Sequence, residues 1–158
     1  KSEVGMGSTF DVYIPAAESK LTHEGTGSQA LPKGSERILL VDDEPAIAEM
    51  EGRILEQLGY KVTVMTSPME ALDLFRSQPD QFDLIITDYT MPQIVGTELA
   101  KACMRIRAEI PVVICTGQSE RLNKEEPGQT GVKAVAMKPL NRKELAQIVR
   151  DVLDKATL

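Results

Sequence analysis

An α/β fold, a doubly wound five-stranded parallel sheet with helices on both faces, is what residues 36–156 predict. Five short apolar runs, RILLVD, KVTVMT, DLIITD, PVVICT and KAVAM, alternate with amphipathic helical patterns. Runs this short between helices read as strands buried on both faces, and the alternation implies right-handed crossovers. Charged residues also close three of the runs: Asp42 and Asp43, Asp88, and Lys138. An open parallel sheet gathers its chemistry outside the carboxyl ends of its strands, so all four should meet.

The elements follow in order. In GMGSTFDVYIP, Phe10, Val12 and Ile14 alternate as in a half-buried strand, one whose sheet the chain does not supply. Residues 1–15 therefore read as the orphan end of a preceding domain. Residues 16–35 are rich in Gly, Ser, Thr and Pro, a linker composition. After RILLVD comes a helix with Ile47, Met50, Ile54, Leu55 and Leu58 on one face, ended by Gly59. Later helices carry Ala71, Leu72 and Phe75, then Leu99, Cys103 and Ile106, and lastly Leu145, Ile148, Val149 and Val152. A fourth helix, within Ser119 to Val132, is weak. It has one clear apolar anchor, Leu122, and carries Pro127 and two glycines. That segment is expected to be the least stable part of the domain.

A length of 158 residues allows one full core plus an appendage. A net charge of -6 and a pI near 4.9 argue against binding to nucleic acid or an anionic membrane, and favour a protein or small-molecule partner. Cys103 and Cys115 match no metal spacing and read as buried thiols in a reducing compartment. With no spanning stretch and no signal segment, a cytoplasmic location is expected, within a parent that can itself be membrane-anchored.

Three clustered carboxylates repel one another, so one is protonated or a hard cation sits among them. A lysine opposite suits a transient anion. The residues thus fit Mg²⁺, or Mn²⁺, and a phosphoryl group. Each also has a plainer reading. Asp88 at a strand end suits a helix N-cap, and Asp42, Asp43 and Glu44 ahead of Pro45 suit a helix start.

The pieces LLVDDEP, DLIITDYTMPQIVG, VICTG and MKPL stand in the order and spacing of response-regulator receiver domains, which residues 36–156 resemble. The resemblance implies a flavodoxin-like strand order 2-1-3-4-5 and phosphorelay signalling. It implies Asp88 as phosphoacceptor from a phosphohistidine on a histidine-kinase dimerisation domain, with a histidine phosphotransfer protein downstream. Asp43, Asp88 and the Thr90 carbonyl would hold Mg²⁺, with Asp42 acting through bound water. Thr116 and Lys138 would bind phosphoryl oxygens, the Lys138–Pro139 peptide would be cis, and Gly96 would permit a tight loop beside the site. Thr90 and Gln118 would flank the pocket where hydrolysis is tuned. One position departs: Val135 stands where most receivers carry an aromatic switch, and a β-branched side chain cannot signal by a ring flip.

GMGSTFDVYIP in turn is similar to the last strand of the GHKL-type ATPase domain of sensor histidine kinases. Kinase core then receiver implies a hybrid histidine kinase. Two readings compete. A haloacid-dehalogenase-type phosphatase would want an acid two residues after Asp88, where Thr90 stands. A receiver-like module that never carries phosphate would not need Asp42, Asp43, Asp88, Thr116 and Lys138 together.

Overall fold

A computed structural model of the chain describes residues 1–3, 7–8, 10–13, 30–117 and 131–156, in two compact units, Lys1–Ala30 and Leu31–Leu158. In the first unit, β1 (Ser2–Glu3) pairs antiparallel with β2 (Gly7–Ser8). The strand expected through Phe10 and Val12 does not form. Residues 10–13 lie outside any strand, with Phe10 86% and Tyr13 92% exposed. An alternating pattern becomes a strand only where a sheet buries one face of it. Ile14 and residues 16–29 of the expected linker lie outside the described residues.

The second unit runs β3 (Arg37–Val41), α1 (Pro45–Gln57), β4 (Lys61–Met65), α2 (Pro68–Ser77), a 3₁₀ turn (Pro79–Gln81) and β5 (Leu84–Asp88). It continues with α3 (Gly96–Ile106), β6 (Val112–Thr116), β7 (Ala134–Met137) and α4 (Arg142–Ala156). The five strands are parallel in the order β4-β3-β5-β6-β7, which is 2-1-3-4-5 counted within the sheet. The weak helix expected in Ser119 to Val132 falls almost wholly on residues 118–130, outside the described residues, as does Gln118.

Successive side chains alternate between two cores. Leu39, Val41, Ile85, Val112 and Ile114 face Leu72 and Phe75 of α2 and Leu99 and Cys103 of α3. Ile38, Leu40, Ile86, Val113 and Cys115 face Leu55 of α1 and Leu145 and Val149 of α4.

Helix α1 is rotated from its expected face. Its buried stripe is Ala48, Glu51, Gly52 and Leu55, while Met50 is 50% exposed and Ile47 and Ile54 are half-buried. Small residues decide this. A Cβ on Gly52 would stand 2.9 Å from Val64 Cγ2, so the glycine lets the helix lie close to the sheet. Ile106, expected inside, is exposed at the end of α3, and Ala100 takes a buried place in its stead. Gly59 ends α1 at φ +100°, a conformation that glycine adopts without a Cβ penalty.

The unit also begins before Glu36. Leu31 packs on the α1/α4 core, and the Gly34 N–H donates to Leu58 O at 3.1 Å, so residues 31–35 belong to the compact unit and not to the linker.

Candidate phosphoryl-binding site

Ladder hydrogen bonds run past the strand ends and fix the backbone of the site. Asp42 N–H donates to Met65 O at 3.1 Å, Tyr89 N–H to Cys115 O at 2.7 Å, and Lys138 N–H to Thr116 O at 2.8 Å. Alternation then sorts the side chains. Asp42, Asp88 and Lys138 continue the series Ile38/Leu40, Leu84/Ile86 and Ala134/Ala136 on the α1/α4 face, whereas Thr116 continues Val112/Ile114 on the other.

Lys138 joins the acids. Its Nζ lies 2.5 Å from Asp42 Oδ2 and 2.6 Å from Asp88 Oδ1, with the side chains of Asp42, Asp88 and Lys138 only 2%, 12% and 16% exposed. Burial works against the ammonium, but its hydrogen bonds to Asp42 and Asp88 outweigh that and raise its pKa above the ordinary lysine value. The second oxygen of each acid is used locally. Asp42 Oδ1 accepts from Glu44 N at 2.9 Å, and Asp88 Oδ2 from Thr90 N at 2.7 Å. Asp88 thus closes a turn and caps no helix, since α3 begins at Gly96.

Above this cluster is a pocket of about 390 Å³ lined by Asp43, Glu44, Asp88, Thr90, Thr116 and Lys138. Asp42 is not among its lining residues. The sequence predicts three acids drawn together; instead Asp42 and Asp88 share an ammonium, which relieves their repulsion, and Asp43 stands at the pocket wall. Among the described residues no three acidic, His or Cys side chains stand close enough to enclose a metal. The donors that do line the pocket are oxygens, the set a hard cation such as Mg²⁺ takes.

Gly96 donates its N–H to Tyr89 O at 2.9 Å, and a Cβ there would collide with the Asp88 carbonyl oxygen, so the loop closes only on glycine. The Lys138–Pro139 peptide is cis. Val135 is half-buried against the α2/α3 core and pairs in register with Ile114.

These observations agree with a comparison of families: the model of the response regulator receiver domain matches residues 38–150. The chain belongs to that family. The receiver is 28% identical to the sensor kinase CckA of Brucella abortus, over 98% of this chain and 17% of that protein. It is 30% identical to the sensor protein EvgS of Escherichia coli, over 89% of this chain and 12% of that protein. The chain thus spans less than a fifth of either relative. Among solved structures, a CheY-like receiver from Methanospirillum hungatei matches with a TM-score of 0.72 and 30% identity, covering 78% of this chain and 98% of that one. The regulator TrrA of Thermotoga maritima, in complex with Mg²⁺ and BeF, matches with a TM-score of 0.67 and 30% identity, covering 74% and 98%.

Sequence reasoning about this receiver gave Glu44 only as part of a helix start and passed over Glu51. Glu44 lines the pocket, and Glu51 is 3% exposed in the buried stripe of α1. Burial pushes the Glu51 carboxyl up to about 7; Lys138 pulls it down, and Asp42 and Asp88 push it further up. An acid at an i, i+3, i+4, i+7 position among Ala48, Gly52 and Leu55 was the available signal.

Proposed function

We propose that this receiver accepts a phosphoryl group on Asp88 from a phosphohistidine and passes it along a phosphorelay. The P–N bond to the histidine breaks as a bond from an Asp88 carboxylate oxygen to phosphorus forms, giving an acyl phosphate. The observation that carries the reading is the Lys138 ammonium held between Asp42 and Asp88 beside Thr116 in one pocket. As Asp88 gives up an oxygen, Lys138 transfers its attraction to the phosphoryl oxygens, while Asp42 keeps hold of the ammonium. The Thr116 hydroxyl donates to a phosphoryl oxygen. Asp43, Asp88 and the Thr90 carbonyl would hold Mg²⁺, or Mn²⁺, with Asp42 acting through water; bound there, the cation would supply charge neutralisation at the phosphoryl oxygens.

The parent is proposed as a hybrid histidine kinase. The likeness to CckA runs through nearly the whole chain, including the part ahead of the receiver. Residues 1–15 would then be the last strand of an ATPase domain, 16–30 the linker, and the partners a histidine-kinase dimerisation domain and a histidine phosphotransfer protein. Among the described residues no helix is long and apolar enough to cross a membrane; a cytoplasmic receiver without direct membrane or nucleic-acid contact is the reading that fits.

The test is acetyl phosphate with Mg²⁺, followed by mass-spectrometric mapping. One phosphoryl group on Asp88, lost in Asp88→Asn and in the absence of divalent cation, is the expected result. Phosphate on a serine, or kept in Asp88→Asn, would sink it. Asp43→Asn is expected to fail through weakened Mg²⁺ affinity.

A further inference from the structure

Glu44 lines the phosphoryl-binding pocket and is the N-cap residue of α1, yet its side chain caps nothing. Its backbone is pinned on both sides. The N–H donates to Asp42 Oδ1 at 2.9 Å, and the carbonyl accepts from Ile47 N and Ala48 N, each at 3.0 Å. The carboxylate has no hydrogen bond and no ion pair among the described residues. A Ser, Thr, Asp or Asn there would satisfy a free N–H of the helix, as Ser67 does for α2. Helix α1 forgoes that bond and leaves a carboxylate at the pocket instead. Of the charged residues lining the pocket, Asp43, Glu44, Asp88 and Lys138, only Glu44 is exposed, which puts it at the rim. Asp88 and Lys138, 12% and 16% exposed, form the floor. The leaving group of a phosphoryl donor stands in line with the attacking Asp88 oxygen and on the far side of phosphorus, so it points toward that rim. A pocket of about 390 Å³ is narrower than the ~10 Å over which salt screens a charge at about 0.1 M.

We propose that Glu44 is a specificity-determining residue of the pocket, selecting phosphoryl donors whose leaving group is a protonated nitrogen, as in a phosphohistidine, over donors that leave as a carboxylate. This rests on the reading of Asp88 as the phosphoacceptor. In both reactions an Asp88 carboxylate oxygen forms the new bond to phosphorus. From an N-phosphoryl donor the P–N bond breaks and its electron pair stays on nitrogen. The group, protonated before the step, leaves as neutral imidazole or ammonia. From an acyl phosphate the P–O bond breaks, and a carboxylate leaves with the electron pair and a negative charge. A negative charge at the rim attracts the cationic end of the first donor and repels the departing anion of the second. The charge is exposed, so its effect is modest and is screened by salt.

The test compares phosphoramidate with acetyl phosphate as donors to the whole chain at saturating Mg²⁺, following phosphate on Asp88 by mass spectrometry over time. In Glu44→Gln the acetyl phosphate rate is expected to rise about threefold relative to the phosphoramidate rate, the scale of one exposed charge interaction. That gain is expected to shrink as ionic strength is raised from about 0.1 M to about 1 M. Glutamine matches glutamate in size and caps a helix no better, so a change in helix stability cannot separate the donors, and any loss of Mg²⁺ affinity slows both alike. A ratio of rates unchanged by Glu44→Gln, or a gain indifferent to salt, overturns the proposal and leaves the role of Asp88 standing. Phosphate reaching Asp88 from neither donor overturns both readings.

Discussion

Both faces of the sheet are packed with hydrocarbon, but only one also carries the ions. Against α2 and α3 lie Leu39, Ile85, Val112 and Ile114 with Phe75 and Leu99, and the strand series there end in the buried hydroxyls of Thr87, which donates to Asp88 O at 3.1 Å, and Thr116. Against α1 and α4 the same strands lead to Asp42, Asp88 and Lys138, and Glu51 stands in the buried stripe of α1. The contrast adds a charged cluster to one face on top of a hydrocarbon core that both faces share. Buried charges favour a defined arrangement more readily than they add net stability.

The largest expected effect breaks the face without ions. Phe75 is fully buried, with its ring centroid 6.2 Å from that of Phe82. Phe75→Ala should cost about 3 to 5 kcal/mol in urea denaturation. With the charged cluster on the other face, Mg²⁺ affinity should be unchanged in the fraction that stays folded; a tenfold loss of affinity would show that the two faces are not separable.

The ionic face should answer to pH instead. Glu51 has a folded pKa raised from 4.5 to about 7. Between those values the folded state keeps a proton that the unfolded chain has released. Stability from this group is therefore full below about 4.5, falls as pH rises through the window, and levels off above about 7. At about 1.4 kcal/mol per unit, discounted for relaxation around the carboxyl, the loss is on the order of 2 kcal/mol. Denaturation of the native protein and Glu51→Gln at either end of the window checks it, and parallel pH profiles would refute it.

Much of this was legible in the chain. The alternation of five strands with helices and the gathering of Asp42, Asp88 and Lys138 at one edge follow from short apolar runs and the residues that close them; the strand order and the place of Thr116 came from the likeness to receivers, and β4, expected to be buried on both faces, is largely open, with Val64 39% exposed. The rotation of α1 was not legible. Periodicity ranks Met50 above Glu51, and only the close approach of Gly52 to Val64 reverses the two. The sharing of Lys138 by Asp42 and Asp88 was equally hidden, because composition counts charges and does not pair them. Phe10 to Tyr13 failed for a third reason: strand patterns need a partner sheet.

A smaller effect concerns where the receiver begins. With Leu31 on the α1/α4 core and Gly34 bonded to Leu58, removing residues 1–30 should leave the melting temperature unchanged. Removing 1–35 should cost about 1 kcal/mol, through lost apolar burial. Equal melting temperatures for the two truncations would put the boundary back at Glu36.

The smallest effects lie within the face without ions, where α2 and α3 begin differently. Ser67 caps α2, its hydroxyl accepting from Glu70 N at 3.3 Å, while Val95 at the same position of α3 offers no side-chain acceptor. A helix start leaves its first N–H groups without intrahelical partners, and a hydroxyl there satisfies one of them. Ser67→Ala should therefore destabilise by about 1 kcal/mol. Val95→Ser should stabilise by about 0.5 kcal/mol, less because the half-buried valine gives up apolar contact. Val95 sits one residue before the glycine that packs on Asp88, so the same variant asks whether stiffening α3 reaches the pocket. Unchanged Mg²⁺ affinity with a higher denaturation midpoint is the expected pair of results, and a change in affinity would mean that the face without ions also tunes the site.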